Sequence, residues 1–180
     1  MEVALVHFPL HPETPAQGQS LEDLFAGRDV DIDAMYARMK GLMDAEELEY
    51  GPRTHTFNSR LAQELGKWAD QQAANGKDYS AIHHALYRAY FVDGQNIGDV
   101  DVLVAVAEKA GLPGEDVRDV VTSRSAQEAV DADWEKSKQY GVTGVPTFVA
   151  GGHGLVGAQP YEALEQLMQT LENPYVLESK

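Results

Sequence analysis

The 180-residue sequence contains no cysteine, so thiol nucleophiles, disulfide staples and Cys-ligated metals have no side chain to use within it. It is also poor in positive charge: 14 Lys and Arg stand against 29 Asp and Glu, a formal net charge of −15. Phosphate backbones and anionic lipid heads are recognised chiefly through Lys and Arg, so neither nucleic acid nor a membrane surface is an expected partner. The sequence has no run of about 18 apolar residues, the length that spans a bilayer. Its N-terminal stretch has no basic segment, extended apolar run or small-residue cleavage site of the secretory kind. A cytoplasmic protein is the expectation. No G-x-S-x-G, H-E-x-x-H or P-loop is present, and no nucleophile-plus-base set can be assembled.

What is there suits one ordinary domain. With 43% hydrophobic residues spread along its length, a chain of this size buries a sizeable core without disulfides or a structural metal. Val3 to Phe8 (V-A-L-V-H-F) is a short β-rich run ending at Pro9 and predicts a strand buried on both faces. Pro-rich punctuation follows, and from Ser20 the periodicity becomes helical. Helices are predicted at 31–48, 58–75, 79–92, 100–110, 114–122 and 126–140. Gly76, Gly111 and Gly141 follow helix ends where a left-handed residue is required, and Ser125 with Glu128 reads as a capping box. After Gly141, V-P-T-F-V-A and the pair Leu155-Val156 around G-G-H-G predict a hairpin. Pro160 then opens a last helix, roughly Tyr161 to Leu171.

Several motifs dissolve on inspection. Gly152 to Gly157 spells G-x-G-x-x-G, but a dinucleotide fold needs a second parallel strand carrying an acid about 20 residues on, and hairpin glycines explain the same letters. Asp29, Asp31 and Asp33 imitate a calcium loop, yet Ala34 stands where Gly is required and Lys40 where a bidentate Glu is required. These acids suit a helix N-terminus better. His83 and His84 point about 100° apart on a helix, and the remaining histidines show no ligand spacing. The stripe Leu86, Tyr87, Tyr90 and Phe91, like Trp68 and Trp134, reads as core. Neither a metal nor a cofactor is expected.

What remains is Gly141-Val142-Thr143-Gly144-Val145-Pro146-Thr147-Phe148-Val149, in which Pro146 opens a strand, as Pro must if it is to sit in a sheet. Together with G-A-Q-P (Gly157 to Pro160) this stretch resembles the C-terminal half of DsbA-family thioredoxin-fold proteins, specifically the FrnE-like cytoplasmic subgroup. The likeness extends back through Phe8-Pro9-Leu10-His11-Pro12, Met35-Tyr36-Ala37-Arg38, Asn58-Ser59-Arg60-Leu61-Ala62, Leu86 to Phe91 and Asn96-Ile97-Gly98-Asp99.

The resemblance implies an α/β thioredoxin-like fold with its first strand and first helix missing, and a large all-helical insertion. Residues 1–20 and 141–180 would form the partial core and 21–140 the insertion. It implies dithiol–disulfide exchange on an extended polypeptide or a small thiol. In that family a C-x-x-C lies in the missing segment, where a helix terminus activates the first sulfur. No catalytic residue carries over; Gly144, Val145 and Pro146 do, as the substrate-binding wall opposite the sulfurs. There the residue before the proline pairs with substrate as an added strand. As written, the Cys-free chain is expected to be redox-silent.

Two alternatives accompany this reading. One is a non-catalytic module that binds a peptide or partner. The other is a glutathione-dependent isomerase or transferase of the kappa type, whose members usually carry N-D-R or S-D-R where this chain has Ala158-Gln159-Pro160. Further expectations are a cis Val145–Pro146 bond and pairing of strand 3–8 with 147–150, unless a second copy of the chain fills the missing-strand slot. The last is a reading frame opened at an internal methionine, some 30 to 40 residues late by the rough size of a β-α crossover.

Overall fold

The computed structural model describes residues 3–172. They fall into two compact units: residues 3–10 with 133–172, and residues 11–132.

The helical unit begins with a clamp. Asn58 donates through Nδ2 to the carbonyls of Pro12 and Thr14, and Asn96 does the same to Ala16, so two amides hold the Pro-rich segment in place. The two-residue strand β1 (Gln19–Ser20) then pairs antiparallel with β2 (His55–Thr56), which ties residues 11–20 to this unit and puts the divisions near 10 and 132, where 20 and 140 were expected.

Helices α1 (Leu21–Leu24), α2 (Ile32–Ala45), α3 (Arg60–Gln72), α4 (Ala81–Phe91), α5 (Val100–Lys109) and α6 (Gly114–Ser123) follow, with a 3₁₀ turn at Ala73–Asn75. Their starts have clear causes: Ser20 caps α1 by accepting from Asp23 N, Asp31 caps α2 from Ala34 N, and Asp99 caps α5 from Asp101 and Val102 N. Gly76 and Gly111 take positive φ as expected. Helices α3 to α6 share one core built on Leu65, Ile82, Leu103, Val117 and Val121. Trp68 and Tyr90 pack against its edge, whereas Tyr87 of the same stripe is 63% exposed and lies outside the expected core.

Within that core sits a charge. Glu64 is fully buried and accepts from Arg60 Nε at 2.5 Å and from Arg124 Nε and Nη2 at 2.6 and 2.7 Å. A carboxylate out of water is tolerable only when paired and hydrogen-bonded, and the two guanidinium groups supply that. Arg60 also reaches the Gln127 carbonyl and Asp131.

The second unit contains α7 (Gln127–Gln139) from Asp133 on, the hairpin β3 (Thr147–Ala150) and β4 (His153–Val156), and α8 (Tyr161–Glu172). Two local expectations fail here. Val3 to Phe8 forms no strand: Val3 is 72% exposed, and among the described residues β3 pairs with β4 alone. A β-branched run becomes a strand only when a neighbour takes its N–H and C=O groups; here His7 N donates to Asp133 Oδ2 and Leu10 N to the Phe8 carbonyl. The capping box fails because Arg124 turns left-handed at φ 58 and α7 starts at Gln127. Ala126, not Ser125, holds the cap position, its carbonyl accepting from Val130 N.

Candidate functional site

The loop that carries Gly144, Val145 and Pro146 hangs from the end of α7. Gly141 N donates to the Lys138 carbonyl and Val142 N to that of Ser137, the paired bonds of a Schellman turn, with Gly141 at φ 67. That left-handed residue is why glycine stands there. Ser137 is itself buried and bonded to the Trp134 carbonyl, which fixes the last turn of the helix.

From there the loop is tied at its far end. Thr147 Oγ1 donates to the Gly144 carbonyl at 2.7 Å, and Gly157 N donates to the Pro146 carbonyl at 2.7 Å. The Val145–Pro146 peptide bond is cis. Register continues from Thr147 opposite Val156 to Ala150 opposite His153, and Gly151 and Gly152, both at positive φ, make the two-residue turn such a hairpin prefers. The letters G-x-G-x-x-G are thus a hairpin turn and its returning strand. Gln159 Nε2 donates to the Val156 carbonyl at 2.7 Å, and the Pro160 carbonyl accepts from Ala163 and Leu164 N, so Pro160 sits at the cap of α8, where a missing N–H is harmless.

Gly144, Val145 and Pro146 form one continuous loop segment that leads into β3. Val145 is 51% exposed, Pro146 is exposed, and neither the N–H nor the C=O of Val145 has a hydrogen-bond partner among the described residues. Residues 144–146 form a bend, and a free donor and acceptor beside a strand can take an extended chain by strand addition. Phe148, Val149 and Val156 add exposed apolar surface to the hairpin.

No titratable group lies within this segment, and among the described residues no cluster of His, Asp and Glu could hold a metal. His83 meets Asp70 at 2.7 Å, His11 meets Glu13 at 3.7 Å and His55 stacks on Phe57. Among the described residues no helix is long and apolar enough to cross a membrane. Sequence reasoning missed what steadies the helical unit, the Arg60–Glu64–Arg124 cluster and the Asn58 and Asn96 clamps, although the N-S-R and N-I-G-D words contain three of those residues.

Comparisons with known proteins agree with this architecture. The uncharacterized protein YwbO of Bacillus subtilis is 31% identical over 97 residues, which make up 50% of this chain and 47% of YwbO. The ClpXP adapter protein SpxH of Halalkalibacterium halodurans is 28% identical over 88 residues, 45% of this chain and 29% of SpxH. The matched segments thus span less than half the length of either relative. Among solved structures, a probable DsbA oxidoreductase, SCO1869, from Streptomyces coelicolor superposes with a TM-score of 0.77 at 29% identity, covering 91% of this chain and 73% of its own. A putative protein disulfide isomerase from Nitrosomonas europaea gives a TM-score of 0.54 at 18% identity over 79% and 74%, a likeness of fold. The sequence model of the DSBA-like thioredoxin domain matches residues 1–169. With that match along nearly its whole length, this mostly helical chain belongs to the DSBA-like thioredoxin domain family.

Proposed function

We propose that this chain serves FrnE-type dithiol–disulfide exchange on an extended polypeptide or small thiol in the cytoplasm, with Gly144, Val145 and Pro146 as the wall along which substrate lies. The 180 residues by themselves are redox-silent. Exchange requires a thiolate to attack a disulfide sulfur, form a new S–S bond and expel the other sulfur as thiolate, and no residue here supplies a sulfur for that step. The observation that carries the reading is the exposed, unpaired backbone of Val145 at the mouth of β3. The FrnE-like words of the sequence support the subgroup and the cytoplasmic location.

Two measurements test it. The 180-residue protein in an insulin-reduction assay gives the no-enzyme rate; turnover above that rate overturns redox silence. Titration with a Cys-free extended peptide shifts the amide resonances of Gly144, Val145 and Thr147, and Val145→Pro, which removes the Val145 N–H, abolishes the shifts at Gly144 and Thr147 while the helical circular dichroism is kept. Peptide shifts confined to other residues overturn the wall. Shifts at Ala158 to Pro160 with glutathione, and none at 144–147 with peptide, favour the glutathione-dependent reading instead. A dimer in sedimentation that Val145→Pro disrupts assigns the open edge to a second copy of the chain.

A further inference from the structure

Helix α2 is amphipathic and uncovered. Ile32, Met35, Tyr36, Met39, Leu42 and Met43 fall on one face by the 3.6-residue repeat, yet no residue of this 14-residue helix is buried. Tyr36 ties it to the rest of its unit, stacked on Tyr50 at 5.7 Å, which in turn stacks on Phe91. Beyond that link Met35, Met39 and Leu42 are 38, 40 and 55% exposed. Beside the C-terminal half of the helix lies a cleft of about 400 Å³, lined by Lys40, Asp44, Leu48, Tyr50, Gly51 and Val92 among others.

The charges at the two ends of this face are predominantly acidic, with Arg28 standing beside the first aspartate. Asp29, Asp31 and Asp33 stand at its start and Glu46, Glu47 and Glu49 beyond its end. Asp31 is used as the cap and Glu49 pairs with Arg88, while Asp29, Asp33, Glu46 and Glu47 form no ion pair among the described residues. Lys40, the base nearest the cleft, is neutralised by Asp44 at 2.6 Å.

We propose that the Met35–Met39–Leu42 face of α2 docks a cationic amphipathic helix of another polypeptide, apolar at its centre and rich in Lys or Arg toward both ends. Unbranched, polarizable Met side chains make an adaptable apolar surface, and the helix-in-groove mode reads anchors at this i, i+3, i+4, i+7 spacing. A 14-residue helix is about 21 Å long, so the two acidic ends select basic groups that far apart. A second copy of this chain is the wrong occupant: whether two α2 helices lie parallel or antiparallel, acidic end meets acidic end, and each chain carries a net charge of −15. An anionic bilayer is repelled for the same reason. The inference stands on the helical unit alone and does not depend on the proline loop.

The test uses the whole 180-residue chain and three probes: an 18-residue Leu/Lys peptide with Lys clustered at both ends, its Leu/Glu counterpart, and an oligolysine of equal charge. Fluorescence anisotropy is expected to give saturable binding of the Leu/Lys peptide. The other two probes bind at least tenfold more weakly, and raising the salt from 50 to 500 mM weakens the complex. The triple variant Met35→Glu, Met39→Glu, Leu42→Glu, all at exposed positions, keeps the wild-type circular dichroism and loses binding by at least tenfold; should that variant unfold, Leu42→Glu alone loses part of it. Equal binding of oligolysine shows net charge acting without the apolar face and overturns the proposal. So does undiminished binding by the variants, a self-dimer that the triple variant breaks, or retention on phosphatidylserine vesicles with no peptide binding.

Discussion

Arg124 grips Glu64 with two bonds, Nε to Oε2 at 2.6 Å and Nη2 to Oε1 at 2.7 Å, joining the residue that ends α6 to the middle of α3 across 60 positions of sequence. The Glu64 carboxylate in turn holds the Arg124 guanidinium more strongly protonated than usual. Because Glu64 has no water to fall back on, the cluster stands or falls as a unit.

Replacing the acid therefore does more damage than replacing one base. Glu64→Gln leaves Arg60, whose side chain is 14% exposed, facing an amide; a loss of about 3 kcal/mol is expected, the low end for breaking a buried pair because Arg124 can turn to solvent. Arg124→Lys keeps the charge but loses the fork geometry, for about 1.5 kcal/mol. Urea unfolding checks both, and equal losses would contradict the ranking.

Asn58→Ala removes both bonds to the Pro12 and Thr14 carbonyls and the one that its Oδ1 accepts from Arg60 N. Three net hydrogen bonds are worth about 3 kcal/mol, and limited proteolysis within 11–18 should accelerate, while protection of core amides in α5 falls by no more than the global loss.

Gly51→Ala is expected to destabilise through contact rather than conformation. A Cβ there would collide with the Val92 carbonyl oxygen, and that backbone cannot swing away as a side-chain tip can. Forced overpacking costs about 1–3 kcal/mol, read as a lowered thermal midpoint. Gly27→Ala, with nothing within 4 Å but a φ of +75, isolates the backbone effect for comparison.

The Glu49 carboxyl lies below its ordinary value of 4.5 because Arg88 hydrogen-bonds it and then attracts it. A carboxyl depressed in the folded state stabilises above its unfolded pKa, and that contribution is lost as pH falls through the folded one. NMR titration of Glu49 should give a midpoint under 4.5 that rises in Arg88→Gln and in high salt, since the pair is exposed. A midpoint unmoved by either change would remove Arg88 as the cause.

Most helices were legible because each carries its own evidence. The apolar period of α5, Asp99 before it and Gly111 after it agree without help from distant residues, and the same is true of α3 and α8. The proline loop was legible for a different reason, since Gly141, Pro146 and the hairpin glycines each demand special backbone. Legibility failed where the decision is non-local. Val3 to Phe8 has the composition of a strand, but whether it becomes one depends on a partner edge. Nothing in the letters of Glu64 and Arg124 says that they meet. Ser125 and Glu128 satisfy a local rule that the left-handed turn at Arg124 overrides. Nothing in the apolar period of α2 says that its face stays exposed.

The distribution of buried apolar side chains gives the two units different lifetimes. Among the described residues the helical unit buries Leu65, Ile82, Leu103, Val117, Val121 and their neighbours, whereas the unit holding the hairpin buries Leu167 alone. Local opening free energy follows such differences. The amides of β3 and β4 should then exchange with deuterium while those of α3 and α5 remain closed, and the loop bearing Val145 becomes the part of the molecule that samples open states most often. If the proposed substrate lies along that loop, it meets an ensemble, and the signature of its binding would be a slowing of that exchange.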